Sequence, residues 1–324
     1  LAAEPFMLLG KPLRLTSSAG LALYPRDADS ATALLVRAEA AMYRAKERGR
    51  DQCQCYEAGL GAAASRRVDL EHALRGALAA GQFELHYQPK LHAADQRIAG
   101  LEALLRWRRP GHGLVPPGEF IHLAEQLGLL VQIGPWVVEE ACRQMAQWRD
   151  EQGLGTVSVA VNLSPSQLKS HSLMDSVCAS VLRHRIEPGQ LEMEVTESMM
   201  MDEPEQAIAI LQELAAEGVH ISIDDFGTGY SSMAYLKRLP VGTLKLDRHF
   251  VTEIASDPRD ADLCAGVIAL AHKLGLKVVA EGVETQEQAD ALLARDCDVF
   301  QGWLFGRPQA AAEITAYLRG KLAG

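Results

Sequence analysis

From about residue 83 onward the chain alternates two rhythms. Short runs of aliphatic and β-branched residues, bounded by turn formers, are followed by longer stretches whose apolar positions recur every three or four residues. The short runs predict strands at 83–89, 97–105, 157–163, 190–196, 219–224, 242–246, 276–281 and 298–303. The longer stretches predict helices that include 135–151, 204–217, 260–274 and 286–295. In the third of these, Leu263, Val267, Leu270, Ala271 and Leu274 mark one face. Thr285 and Gln288 have capping-box spacing at the start of the fourth. Eight strands alternating with helices over about 240 residues fit a TIM-type (β/α)8 barrel better than an open doubly wound sheet. Too few residues separate 83–89 from 97–105 for a crossover helix, so this first pair is expected to be antiparallel.

The first 80 residues have another pattern. Residues 13–24 predict a strand, Pro25, Asp27 and Asp29 a turn, and 30–48 a helix with Leu34, Leu35, Ala38, Ala41, Met42 and Ala45 on its apolar face. Arg44, Lys46 and Arg48 in its last turn suit the helix dipole, and Gly49 is the expected stop. The small residues of 58–64 predict a linker, and 66–80 a connecting helix with Val68, Leu70, Leu74, Ala77 and Leu78 apolar. The expected organisation is a partial α/β segment at 1–57, linker and helix at 58–80, and the barrel at 81–324. The chain opens on Leu1 without a signal-peptide pattern and reads as a fragment of something longer.

Composition narrows the classes. Of the 324 residues, 48% are hydrophobic and 23% charged, which is ordinary for a globular chain and rules out a disordered tail. No run reaches the ~20 apolar residues of a membrane span. A net charge of −10 argues against a basic nucleic-acid surface, so a polymeric nucleic acid is not an expected partner. The six cysteines include no CxxC pair, which excludes a zinc knuckle and predicts buried thiols in a reducing, cytoplasmic setting. The histidines show neither HxxxH nor HExxH spacing.

The candidate chemistry lies in where polar residues interrupt the apolar runs. Glu102, Asn162, Glu194, Asp224 with Asp225, Lys245, Glu281 and Gln301 each fall within or at the end of a predicted strand. In a barrel such ends converge on one face. Each residue has a plain alternative. Glu102 could be solvated, Asn162 could cap the turn at Ser164–Pro165, Glu194 and Glu197 could form a polar strand end, Lys245 could pair with Asp247, and Gln301 could serve backbone groups. As a set they would be costly to bury without a purpose. Oxygen-rich donors suit Mg²⁺ or Mn²⁺ rather than zinc. Adjacent Asp224 and Asp225, pointing different ways, could serve two metals, an arrangement used for phosphodiester hydrolysis.

These residues carry a resemblance. Glu102-Ala103-Leu104 followed by Leu105-Arg106-Trp107 is similar to the signature of EAL-domain cyclic di-GMP phosphodiesterases. The likeness continues through Tyr87-Gln88-Pro89, Val161-Asn162-Leu163-Ser164, Glu194-Val195-Thr196-Glu197-Ser198, the DDFGTGYSS run at 224–232, Lys245-Leu246-Asp247, Glu281-Gly282-Val283-Glu284 and Gln301-Gly302, across 68–318. Met233 stands where Leu is common in the family. The resemblance implies metal-dependent hydrolysis of cyclic di-GMP to linear 5′-pGpG with two divalent cations, Mg²⁺ or Mn²⁺. It implies Glu102, Asn162, Glu194 and Asp224 as ligands of one metal and Asp224 with Asp225 for the second. Lys245 would position the attacking water, with Glu281 as general base. Gln88, Arg106 and Gln301 would contact substrate, and Glu197 would brace the 226–232 loop. A homodimer formed near 226–250 and no membrane contact by this stretch are also implied. The alternative is a cyclic di-GMP receptor without turnover. Other metal-dependent barrel hydrolases would place His at the strand ends, and a glycosidase needs only two carboxylates.

The sequence AGLALYP at 19–25 and AEAAMYRAKERGRD at 38–51 resemble the end of a GGDEF domain. Lys46 and Arg50 match phosphate-holding positions there, while Asp51 replaces the usual Asn. The cyclase signature loop is absent, so this segment is expected to be a remnant that makes no cyclic di-GMP.

Overall fold

The computed structural model describes residues 6–8, 11–13, 16–47, 51–57, 60–150, 154, 157–227 and 236–322. The chain divides into two units, Leu1–Gly76 and Ala77–Gly324.

The second unit is a closed barrel. Its strands are β1 (Phe83–His92), β2 (Ile98–Arg109), β3 (Val159–Asn162), β4 (Leu191–Thr196), β5 (His220–Phe226), β6 (Thr243–Leu246), β7 (Lys277–Ala280) and β8 (Val299–Gln301). They pair in chain order and β8 closes on β1. The neighbouring pairs from β2 to β8 are parallel. β1 runs antiparallel to both β2 and β8, so the reversal expected for the first pair occurs on both sides of that strand. Two short strands not expected from the pattern extend the sheet: Gly113–Val115 against β2 and Gln309–Ala310 against β1.

The helices follow the expected positions with instructive shifts. Pro204–Ala216, Pro258–Lys273 and Gln286–Leu293 start where Pro or capping residues predict, and Thr285 and Gln288 form the full capping box. The helix expected at 135–151 begins earlier, at Leu130, and carries Pro135 inside its first turns. Leu130, Ile133 and Val137 are buried on one stripe, so apolar burial extends the helix past the proline. Helices Pro117–Gln126 and Leu173–His184 complete the βα connections around it.

In the first unit a parallel pair, Ala19–Leu21 with Cys53–Cys55, flanks the helix Ala31–Glu47. This is a βαβ unit. Gly20 makes it possible: a Cβ there would lie 2.0 Å from the carbonyl oxygen of Ala38. The single strand expected over 13–24 is instead the three residues Ala19–Leu21, with a separate hairpin of Phe6–Leu8 and Lys11–Leu13 before it. Leu60–Ala77 is helical, so most of the stretch read as linker belongs to the connecting helix, whose alanines favour that state. Arg48, Gly49 and Arg50 lie outside the described residues. All six cysteines are free; Cys142, Cys264 and Cys297 are buried as expected, whereas Cys53 and Cys55 are exposed because their strand has one solvent-facing side.

Candidate active site

Side chains on alternate residues of a barrel strand point inward. Here the inward set at the level of the parallel strands' C-terminal ends is polar from every strand. Gln88 comes from β1, Glu102 from β2, Asn162 from β3, Glu194 from β4, Asp224 from β5, Lys245 from β6, Glu281 from just after β7 and Gln301 from β8. TIM barrels ordinarily fill this volume with branched aliphatics.

Lys245 is the hub. It is 1% exposed, and its ammonium lies 2.6 Å from Glu281 Oε1, 2.7 Å from Glu194 Oε2, 3.2 Å from Asp224 Oδ2 and 3.9 Å from Glu102 Oε2. Burial alone would drive the proton off, but the surrounding carboxylates hold the ammonium well above its ordinary pKa. Glu102 accepts from Asn162 Nδ2 at 2.6 Å and from Gln301 Nε2 at 2.5 Å. Gln301 Nε2 also reaches Gln88 Oε1 at 3.2 Å, and Gln88 donates to the Gly306 carbonyl. The plain alternatives for Glu102, Asn162, Lys245 and Gln301 are thereby overturned. Asp247 instead caps a short helix through the His249 N–H, and Ser164 caps Pro165–Leu168.

Asp224 and Asp225 depart from the expected geometry. Successive strand residues should point to opposite sides. Asp225, however, has φ 53°, and the β5–β6 register shifts between Ile223 and Phe226. This local bulge turns Asp225 back, and Asp224, Asp225 and Glu281 each offer a carboxylate oxygen within 4.8 Å of the others. Asp is among the few non-glycine residues that accept such a backbone.

The electrostatics show a group short of positive charge. Desolvation pushes Glu281 up to about 7, helped by Asp224 and Glu102 and opposed by Lys245. Burial, then Asp224 and Asp247, raise Asp225. Glu194 is raised well above the usual carboxylate range by burial despite two neighbouring lysines. Glu102 is lowered, because Lys245 and the Gln301 amide outweigh its burial. Asp225, Glu194 and Glu281 thus favour their protonated forms, and a bound cation would displace those protons.

Glu197 is buried, and its Oε2 accepts the Gly227 N–H at 3.3 Å. Its Oε1, like Gln301 Oε1, is buried with no hydrogen-bond partner among the described residues. Gly227 has φ +94°, and a Cβ there would lie 2.5 Å from the Phe250 ring, so the turn requires glycine. Residues 228–232 of the loop, and Met233, lie outside the described residues. Arg106 is half-buried and donates to the Leu105 carbonyl. It lines a cleft of about 420 Å³ together with Asn162, Ser164, Thr196 and the apolar Ile133 and Leu163.

Two interior residues were not singled out from the sequence. Lys90 lies two residues beyond Gln88 on β1, and Glu192 two residues before Glu194 on β4. Lys90 Nζ sits 2.8 Å from Glu192 Oε2 and 3.4 Å from Glu194 Oε1. Period-2 spacing from the expected site residues would have found both.

The fold and this interior define a class: TIM-type barrels whose polar core gathers carboxylates, amides and lysine beneath an open C-terminal face. Residues 71–308 match the EAL domain family, and the chain belongs to it. It is 48% identical over 97% of its length to the bifunctional diguanylate cyclase/cyclic di-GMP phosphodiesterase MucR of Pseudomonas aeruginosa, and 43% identical over 98% to the cyclic di-GMP phosphodiesterase NbdA of the same organism. It spans 46% and 40% of those two proteins, about half the length of the relatives it matches. A solved structure of the PaMucR phosphodiesterase in complex with c-di-GMP superposes with a TM-score of 0.73 at 51% identity, covering 76% of this chain and 99% of that one. Among the described residues, no helix is long and apolar enough to cross a membrane.

Proposed function

We propose that the barrel is a phosphodiesterase that hydrolyses cyclic di-GMP to linear 5′-pGpG with two divalent cations, Mg²⁺ or Mn²⁺. The observation that carries this reading is the convergence of Asp224, Asp225 and Glu281 within 4.8 Å, beside the Glu102–Glu194–Lys245 cluster. The donors fit hard cations. They are oxygens of carboxylates and an amide, and the raised pKa values of Asp225 and Glu281 reflect a deficit of positive charge. Glu102, Asn162, Glu194 and Asp224 would hold one cation, and Asp224 with Asp225 the second. Bound there, the cations would supply charge neutralisation for the phosphodiester and acidify water.

The chain's own groups do the rest. Glu281 accepts the proton of the attacking water as its oxygen bonds to phosphorus. Lys245 orients that water and holds Glu281 in place. The 3′-oxygen departs as its bond to phosphorus breaks and takes a proton from solvent water to become a hydroxyl. Arg106 presents a planar fork to phosphate oxygens, while Gln88 and Gln301 offer amides to the substrate. The cleft beside Arg106 has the size and apolar walls expected of a ligand pocket. Glu197 braces the loop that begins at Gly227. The same reading makes residues 1–57 the C-terminal remnant of a GGDEF domain. The βαβ unit there, and alignment of nearly the whole chain to a bifunctional relative, support it. It also includes pairing of two copies near 226–250 and a cytoplasmic location.

The test is incubation of the chain with cyclic di-GMP and Mg²⁺ or Mn²⁺, with nucleotides resolved chromatographically. Linear pGpG is expected, and is lost with EDTA and in a folded Glu102→Ala variant. Tight binding without product would replace the enzyme by a receptor. Near-native turnover by Glu102→Ala would remove Glu102 from the ligand set.

A further inference from the structure

The charged cluster does not end at the strand tips. Below it, Lys90 continues the alternation of sign along the barrel interior. Glu281, Lys245, Glu194, Lys90 and Glu192 form an unbroken series of ion pairs at 2.6, 2.7, 3.4 and 2.8 Å. Glu192 and Glu194 are two residues apart on β4 and therefore share its inner face. Lys90 is opposite Gly100 of β2 and Gln301 of β8. Lys90 Cε packs against Gly100, where a Cβ would lie 3.7 Å from it, an ordinary contact; the close approach at Gly100 is to Ser158 Oγ, at 2.5 Å. Lys90, Glu192 and Glu194 are all buried.

We propose that Lys90 is a positioning residue that holds Glu194 oriented for cation binding, with Glu192 as its anchor. The inference rests on the reading of Glu194 as a metal ligand. Glu194 is deeply buried, so its orientation is set by the side chains packed against it. Lys245 is shared with three other carboxylates besides Glu194, so it does not fix the orientation of this one alone. Lys90 supplies the second ammonium from below, on the oxygen that Lys245 does not take. Partners that orient a metal ligand from behind commonly govern metal affinity by about 10–100-fold. At the lower end, Lys90 and Glu192 line a cavity of about 330 Å³ with His220, Thr243 and Lys277.

The experiment compares variants that break the same buried pair from opposite sides. Lys90→Met strips Glu194 of its lower cation, while Glu192→Gln leaves Lys90 free to pair with Glu194 alone. Lys90→Met also strands Glu192 as a buried anion, so the double variant Lys90→Met/Glu192→Leu removes the pair together and protects the fold. Binding of Mn²⁺ alone is measured calorimetrically on the whole chain, and the Mg²⁺ dependence of turnover is measured beside it. The expected result is Mn²⁺ binding weakened by about 10–100-fold in Lys90→Met and in the double variant, against less than about threefold in Glu192→Gln. Turnover should recover at saturating Mg²⁺. Equal weakening in Glu192→Gln and the double variant, or native affinity in a folded double variant, would overturn the role of Lys90. Wild-type chain that binds no Mn²⁺ would overturn the metal reading itself, and the inference with it.

Discussion

Two glutamates in this barrel sit among several polar partners and respond in opposite directions. Glu281 faces Lys245 but also other carboxylates, and burial lifts it to about 7. Glu139, on the helix Leu130–Asp150, accepts from His184 at 2.9 Å, Ser180 at 2.8 Å and Arg183 at 2.7 Å on the helix Leu173–His184. Its desolvation is outweighed by those donors, and it falls to about 2. The outer cluster has more donors than charges to satisfy; the inner one has more charges than donors. The first ties two helices together, and the second is left wanting a cation. Natural proteins keep such unbalanced groups where function needs them.

Neutralising one member of each cluster should therefore give opposite results. Glu281→Gln is expected to lower turnover by about 10²–10⁴-fold, the usual contribution of a general base. In metal-free buffer above pH 7 its melting temperature should not fall, because the ionised form is the one the fold disfavours. A large loss of stability there would mean that the site is balanced, not frustrated.

The second expectation concerns cation affinity. A carboxyl raised to about 7 is protonated below that value in the metal-free site, and only its ionised form adds negative charge beside the cations. Affinity for Mg²⁺ should thus rise about tenfold between about pH 6 and about pH 8. Titration calorimetry at the two pH values checks it; pH-independent affinity would uncouple Glu281 from the cation.

The outer cluster carries the smaller effects. Glu139→Gln should cost about 1 kcal/mol, read by chemical denaturation, with turnover unchanged. A carboxyl lowered to about 2 from its ordinary 4.5 stabilises the fold fully above 4.5 and loses that contribution as pH falls toward 2. The stability difference between wild type and Glu139→Gln should therefore shrink on acidification. A difference that persists near pH 2 would assign the effect to packing.

Much of the barrel was legible along the chain. All eight strands fall where the apolar runs do, because each run is bounded by turn formers and buried on both faces. Candidate site residues were legible for the complementary reason: Glu102, Glu194 and Lys245 interrupt those runs. Three things were not legible. Pro135 inside a helix, the Ala19–Leu21 strand paired with Cys53–Cys55, and the helical start at Leu60 each depend on partners distant in sequence. Lys90 and Glu192 also escaped notice, although their spacing from Gln88 and Glu194 placed them on the inner face.

The sequence by itself determined the barrel, the reversal of its first strand and the polar residue types facing its axis, since strand length, period and connection length are local properties. Only the tertiary structure decided which charges meet. The bulge at Asp225, the four carboxylates around Lys245 and the ladder through Lys90 join residues from different strands. Their pairing depends on barrel closure and register, through which charges far apart in the chain come within a few ångströms in a volume that water cannot screen.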